Sequence, residues 1–134
     1  MKQTDLAWIA GFFDGEGCIS ITQRRGGNVF QLRLNIVQRD PQPLVRVQEI
    51  LGYGRVRQKS DEGCWMYLIT SNEDLEDFIQ KMKPYSLVKS SQLLLAEEYL
   101  STARGHINIP VSEDLYSKRL KLKLEMQAEK RRLK

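Results

Sequence analysis

Apolar residues at Leu6, Ile9, Ala10 and Phe13 recur at helical spacing, predicting a helix over residues 6–14 with one buried stripe. Thr4 or Asp5 can cap it, since either side chain accepts hydrogen bonds from free backbone N–H groups. Gly15 and Gly17 are the expected stop. From residue 18 to 25 the period changes to two. Ile19 and Ile21 alternate with Ser20, Thr22 and Arg24, as in a strand with one face covered. Gly26-Gly27-Asn28 then turns the chain into a second alternating run, 29–39. Phe30, Leu32, Leu34 and Ile36 share one side, with Gln31, Arg33 and Asn35 on the other, so the two runs read as a hairpin. Leu44, Val47 and Leu51 mark a helix over 41–51, with Pro43 suited to its first turn. Gly52-Tyr53-Gly54 breaks it. Residues 55–59 alternate around Val56, Asp61-Glu62-Gly63 turns, and 64–70 is a strand with Trp65, Tyr67 and Ile69 on one side. A helix capped by Asn72 or Ser71 runs to Met82, where Lys83-Pro84 stops it, and 87–100 forms another. Residues 104–111 read as a loop or short extended piece. Ser112, Glu113 and Asp114 open a final basic helix. The prediction is an α+β fold in the order α-β-β-α-β-β-α plus C-terminal helices. It forms one domain over residues 1–134, with its core at about 5–100.

The 134 residues suffice for one core, and no apolar run is long enough to cross a bilayer. Met1-Lys2-Gln3-Thr4-Asp5 leads into no signal-peptide pattern, so an intracellular protein without a membrane partner is expected. Cys18 and Cys64 form no CxxC pair and no zinc spacing, which suits reduced thiols. No GxSxG, HExxH or P-loop is present, and no small-molecule cofactor is expected. His106, the only histidine, falls in a loop and suggests no catalytic role. Trp8 and Trp65 read as packing residues.

Charge sharpens the picture through its placement. The net charge is only +4, yet residues 17–59 carry eight basic side chains against Asp40 and Glu49. Residues 117–134 carry eight more against Glu125 and Glu129. Segregated basic regions suit a polyanionic partner as well as a solvated surface. On the outer side of the predicted strands, Ser20, Thr22, Arg24, Gln31, Arg33, Asn35, Arg55, Arg57 and Lys59 would share one face without an acid. Arg and Lys bind guanine edges and phosphates, Asn and Gln read adenine, and a β-ribbon fits a major groove. Met66 and Leu68 fall on the same face and leave the fourth strand less clear.

Ala7, Gly11 and Gly15 recur every four residues, a smooth stripe beside the apolar one. Glycine inside a helix costs about 1 kcal/mol relative to alanine, so Gly11 needs a compensating contact. Close backbone packing supplies one, either against a strand of the same domain or against the same helix of a second copy. In the second case two Glu16 carboxylates approach each other. That is costly unless a cation lies between them, and hard carboxylate oxygens suit Mg²⁺. Asp14 reads as structural, hydrogen-bonding near the helix end.

Ile9-Ala10-Gly11-Phe12-Phe13-Asp14-Gly15-Glu16-Gly17 resembles the nine-residue motif of the LAGLIDADG homing endonucleases. Ala10, Gly11, Asp14 and Gly17 match it letter for letter, and Glu16 stands where the family has Asp or Glu. The element order matches too, over about residues 5–100. The resemblance implies a single-motif homodimer, joined along Ala7, Gly11, Phe12 and Gly15, with a saddle-shaped sheet in the major groove. It implies Glu16 as metal ligand, assisted by the Gly15 carbonyl. Gln38 would position water, and Lys89 would stabilise phosphate charge or help activate water. The implied activity is cleavage of double-stranded DNA at a long pseudo-palindromic site, leaving 3′ overhangs, by an intron-encoded enzyme. Mg²⁺ is the expected cofactor, with Mn²⁺ substituting and Ca²⁺ supporting binding without efficient cutting. At Asp40-Pro41-Gln42 and Ser91 the chain departs from relatives that carry more bases around the site. The alternative is a non-cleaving nucleic-acid binder of the same fold, such as a maturase or regulator.

Overall fold

The computed structural model describes residues 2–23, 29–59, 63–103 and 113–132. The elements run α1 (Gln3–Glu16), β1 (Gly17–Gln23), β2 (Phe30–Gln38), α2 (Gln42–Leu51), β3 (Arg55–Lys59), β4 (Cys64–Ile69), α3 (Asn72–Met82), α4 (Ser90–Ala103) and α5 (Glu113–Arg132). The α+β class and the element order agree with the sequence pattern. Arg24, the turn at 26–28, Asp61, Glu62, and residues 104–112 with His106 lie outside the described residues.

The helix α1 starts earlier than its capping residues suggest. Asp5 and Leu6 donate their N–H groups to the Lys2 carbonyl at 3.1 and 3.2 Å, so Lys2 is the cap and offers no side-chain bond. Thr4 and Asp5 therefore lie inside the first turn, where Asp5 faces the positive end of the helix dipole. Nor does Gly15 end the helix, which continues through Glu16 until Gly17 turns extended. A Cβ on Gly17 would lie 2.2 Å from the Phe13 ring, so glycine alone permits the direct step from α1 into β1.

The sheet is antiparallel, in the order β1-β2-β4-β3. Ile19 and Ile21 pair with Leu34 and Leu32, and Ile36 pairs with Tyr67, all facing the helices. Ser20–Arg33, Thr22–Gln31 and Cys18–Asn35 alternate onto the opposite face. The order makes β4 central. Met66 sits between Val37 and Arg57, and Leu68 between Asn35 and Arg55, and both are buried despite facing away from the helices. Long arginine stems beside them explain how apolar side chains belong on a polar face. Gly54, at φ +88°, lies over the Tyr67 ring, whose hydroxyl donates to the Tyr53 carbonyl at 2.8 Å. This junction sets the start of β3, and with it Arg55 and Arg57.

The buried side chains form one cluster from Ile9 to Met126. The C-terminal helix α5 joins it through Leu122 and Met126. Buried Arg119 pins α5 to α4, donating to the Thr102 hydroxyl and carbonyl at 3.3 and 3.2 Å. Among the described residues no helix is long and apolar enough to cross a membrane, and neither Cys18 nor Cys64 is in a disulfide.

Candidate active site

One end of the sheet gathers the residues of chemical interest. Glu16 is the exposed last residue of α1. Gly17, the next residue, pairs with Ile36, so Gln38 at the end of β2 stands at the same edge of the sheet. Alternation puts Gln38 on the side of Ile36, facing the helices, opposite Trp65. Lys89 comes from the segment before α4. Its ammonium donates to the Asp14 carbonyl at 2.6 Å and lies 5.8 Å from the Phe13 ring centre. Lys89 and Asp14, far apart in the chain, thus meet at the end of α1.

Asp14 makes this meeting rigid. Its carboxylate accepts from the Ser86 hydroxyl and from the N–H groups of Leu87, Val88 and Lys89 at 2.7, 3.1 and 3.2 Å. The structural role expected of Asp14 is present, but its partners belong to another element. The same bonds explain why α4 begins at Ser90 and not at residue 87: the intervening N–H groups are turned onto Asp14. Burial raises the carboxyl's pKa, yet the Ser86 hydroxyl and the three N–H donors outweigh it and hold the value below normal. A lowered pKa contributes stability above the unfolded value of about 4, lost as pH falls through the lower folded value. Asp14→Asn should lose about 1–3 kcal/mol, as hydrogen bonds to a charged group do. Urea unfolding at neutral pH should show this gap, and it should shrink in acid below pH about 4. An unchanged midpoint at neutral pH would contradict the tether.

The second feature is the exposed side of α1. An added Cβ at Gly11 or Gly15 would meet nothing within 4 Å, so no strand of the same chain covers the small-residue stripe. Ala7 is exposed and Phe12 half-buried. Trp8 is 42% exposed and packs on Phe12 with ring centres 5.6 Å apart, at the surface of the subunit. Leu87 and Val88, 85% and 51% exposed, extend this apolar surface beside the end of α1. Sequence reading missed them, having assigned them to the start of a helix over 87–100.

The third feature is the polar face of the sheet. Ser20, Arg33, Asn35, Val37, Arg57, Gln58, Lys59 and Met66 line a concavity of about 640 Å³. Gln31 is half-buried, whereas Arg55, Arg57 and Lys59 are exposed. The Thr22 hydroxyl donates to the Gln31 carbonyl at 3.2 Å, so part of its capacity is used within the sheet. Among the described residues lining it, such a surface combines bidentate donors and amides without a carboxylate.

Residues 9–96 match the family described as LAGLIDADG endonuclease. The chain belongs to this family. It is 34% identical over 84 residues to the intron-encoded DNA endonuclease ai2b of Dictyostelium discoideum, covering 60% of this chain and 32% of that protein. It is 33% identical over 100 residues to the DNA endonuclease I-CvuI of Chlorella vulgaris, covering 69% of this chain and 62% of that one. The chain thus spans less than two thirds of the length of these curated relatives. The crystal structure of I-CvuI with its target in 2 mM Ca superposes with a TM-score of 0.83 at 25% identity, over 95% of this chain and 82% of that one. A second I-CvuI structure, with an I-CreI target in 2 mM Mg and DNA not cleaved, has a TM-score of 0.82 at 24% identity and the same coverage.

The residues present suit a hard divalent cation. Glu16 offers an exposed carboxylate, and Gly15 lies in the last turn of α1, whose carbonyls lack intrahelical partners. Among the described residues no group of three or more His, Cys, Asp or Glu side chains gathers in a single chain.

Proposed function

We propose that two copies of this chain join through α1 and cleave double-stranded DNA at a long pseudo-palindromic site, leaving 3′ overhangs. The observation that carries this reading is the uncovered glycine face of α1 ending in Glu16. Only a close crossing of two such helices both compensates Gly11 and brings two carboxylates together. The family's DNA-bound relatives support the choice of substrate. The chain acts as one domain within the cell.

Glu16 and the Gly15 carbonyl hold Mg²⁺, with Mn²⁺ able to replace it. A bound divalent cation stabilises charge on the phosphate oxygens and lowers the pKa of water. Lys89, steadied by Asp14, places a positive charge where negative charge develops on the cleaved phosphate. Gln38 orients water from the helix-facing edge of the sheet. Ser20, Thr22, Arg24, Gln31, Arg33, Asn35, Arg55, Arg57 and Lys59 meet the major groove.

The test is selection of a bound duplex from a randomised pool, followed by its insertion into a supercoiled plasmid. With excess Mg²⁺, linear plasmid should form. Ca²⁺ should support binding with little cutting. Binding without cutting under Mg²⁺ or Mn²⁺ would replace this reading by that of a non-cleaving regulator or maturase.

Recognition has its own expected outcome. Affinity should fall steeply with salt, because the basic face neutralises phosphates. Arg33→Ala and Arg57→Ala should each relax preference at particular base pairs by about 1–3 kcal/mol. Competition binding against single-base variants measures this. Equal losses on every sequence would make both residues phosphate contacts.

A further inference from the structure

Tyr116, Lys123 and Lys130 recur every seven residues, close to two helical turns, and line one side of α5. All three meet β1. Gln23 donates its amide to the Tyr116 hydroxyl at 3.1 Å, and Lys123 donates to the Gln23 amide oxygen at 3.1 Å. The Lys130 ammonium lies 3.1 Å from the Cys18 sulfur. Since residue 123 partners 23 and residue 130 partners 18, α5 runs antiparallel to β1. Its last turn therefore finishes at the Glu16 end of the sheet.

Cys18 pairs with Asn35 on the polar face and is two residues from Glu16. Lys130 thus reaches round the sheet edge to the side that carries Ser20, Arg33 and Asn35. Its contact there is a thiol, a weak acceptor that leaves most of the ammonium's capacity free for a stronger one. The same turn carries Arg131 and Arg132. Arg132 is paired with Glu129 through bonds of 3.2 and 2.9 Å, whereas Arg131 is exposed. A helix C-terminus alone repels anions, so a run of three bases here reverses the local field.

We propose that Lys130 and Arg131 grip a backbone phosphate of the DNA strand next to Glu16, which makes the last turn of α5 a positioning arm. The inference rests on the DNA-cleavage reading and adds a contact to it. The ligand is the phosphodiester itself, whatever the base sequence. Both residues are positioning residues: they act by holding the strand in register with the cleavage centre.

The experiment uses the full chain, wild type against Lys130→Met, Arg131→Gln and the double variant, in Ca²⁺ on a selected duplex. Single phosphates around the cleavage positions are replaced in turn by neutral methylphosphonates. The double variant should flatten the dependence of log affinity on log salt by about 0.9 per lost phosphate contact, with base preference unchanged. One methylphosphonate should weaken wild type several-fold and leave the double variant unaffected. If Lys130→Met unfolds the protein, the exposed Arg131→Gln carries the same comparison. An unchanged salt slope in a folded variant overturns the proposal, as does a panel in which every methylphosphonate weakens wild type and variant alike. If wild type binds no duplex at all, the DNA reading fails first and takes this arm with it.

Discussion

Gly11→Leu should convert the protein from a dimer that cuts both strands into a folded monomer that cuts neither. Within one chain the substitution meets no obstacle, because the space beside Gly11 is open for at least 4 Å. Leucine is also the better helix former, by about 0.7–1 kcal/mol. Far-UV circular dichroism and the melting temperature of the isolated subunit should therefore hold or rise. In the proposed dimer the same side chain would stand where the helix backbones meet. It would separate them, uncover Trp8 and Phe12, and pull apart the two Glu16 carboxylates. Leu87 and Val88 would lose their partner surface together with α1. Sedimentation velocity should show half the wild-type mass at micromolar concentration, and plasmid linearisation should disappear. Gly11→Ala should have the same direction with a smaller effect. A wild-type protein that sediments as a monomer on its bound site would sink the assembly, as would a Gly11→Leu variant that still dimerises and cuts.

Much of this arrangement follows from short-range pattern. Alternation at Phe30, Leu32, Leu34 and Ile36 is enough to assign β2 and the face it buries, and the structure agrees. The glycine stripe on α1 is legible for the same reason, since its four-residue spacing is a property of the helix itself. The misreadings have a different origin. Residues 87–89 carry helical periodicity, yet their N–H groups bond to Asp14, whose nearest contact among them is 73 positions away in sequence. No local period encodes that. Met66 and Leu68 are unexplained on a solvent-facing strand and become ordinary once β4 is central, which depends on strand order. The stripe on α5 was visible only as a count of bases, because its meaning comes from Gln23 and Cys18. For the site, Glu16 emerged from the helix pattern and the carboxylate argument. Gln38 and Lys89 entered through the family resemblance. What joins Lys89 to the end of α1 is a fold-level contact through Asp14.

Glu16→Gln should leave DNA binding within a few-fold of wild type while lowering cleavage by two orders of magnitude or more. Glu16 is exposed and contributes nothing to the buried cluster, and glutamine keeps nearly its size, so the subunit should fold normally. On the proposed reading the affinity for duplex would come from the polar face of the sheet, which the substitution does not touch. In the proposed dimer without metal, removing two facing carboxylates would relieve their repulsion, so the dimer should tighten. The cost falls on chemistry. An amide holds a hard cation poorly, so positioning of the cation and stabilisation of phosphate charge are lost together. Lys89→Met should act differently, because Lys89 is held by the Asp14 carbonyl and in the proposed mechanism would supply charge to the phosphate without holding metal. Its loss should lower the cleavage rate at saturating Mg²⁺ and leave the Mg²⁺ concentration for half-maximal rate unchanged, whereas Glu16→Gln should raise that concentration. Single-turnover cleavage of one selected duplex across a Mg²⁺ titration separates the two. Equal rates for wild type and Glu16→Gln would remove Glu16 from the centre, and with it the argument that two helix ends share the metal.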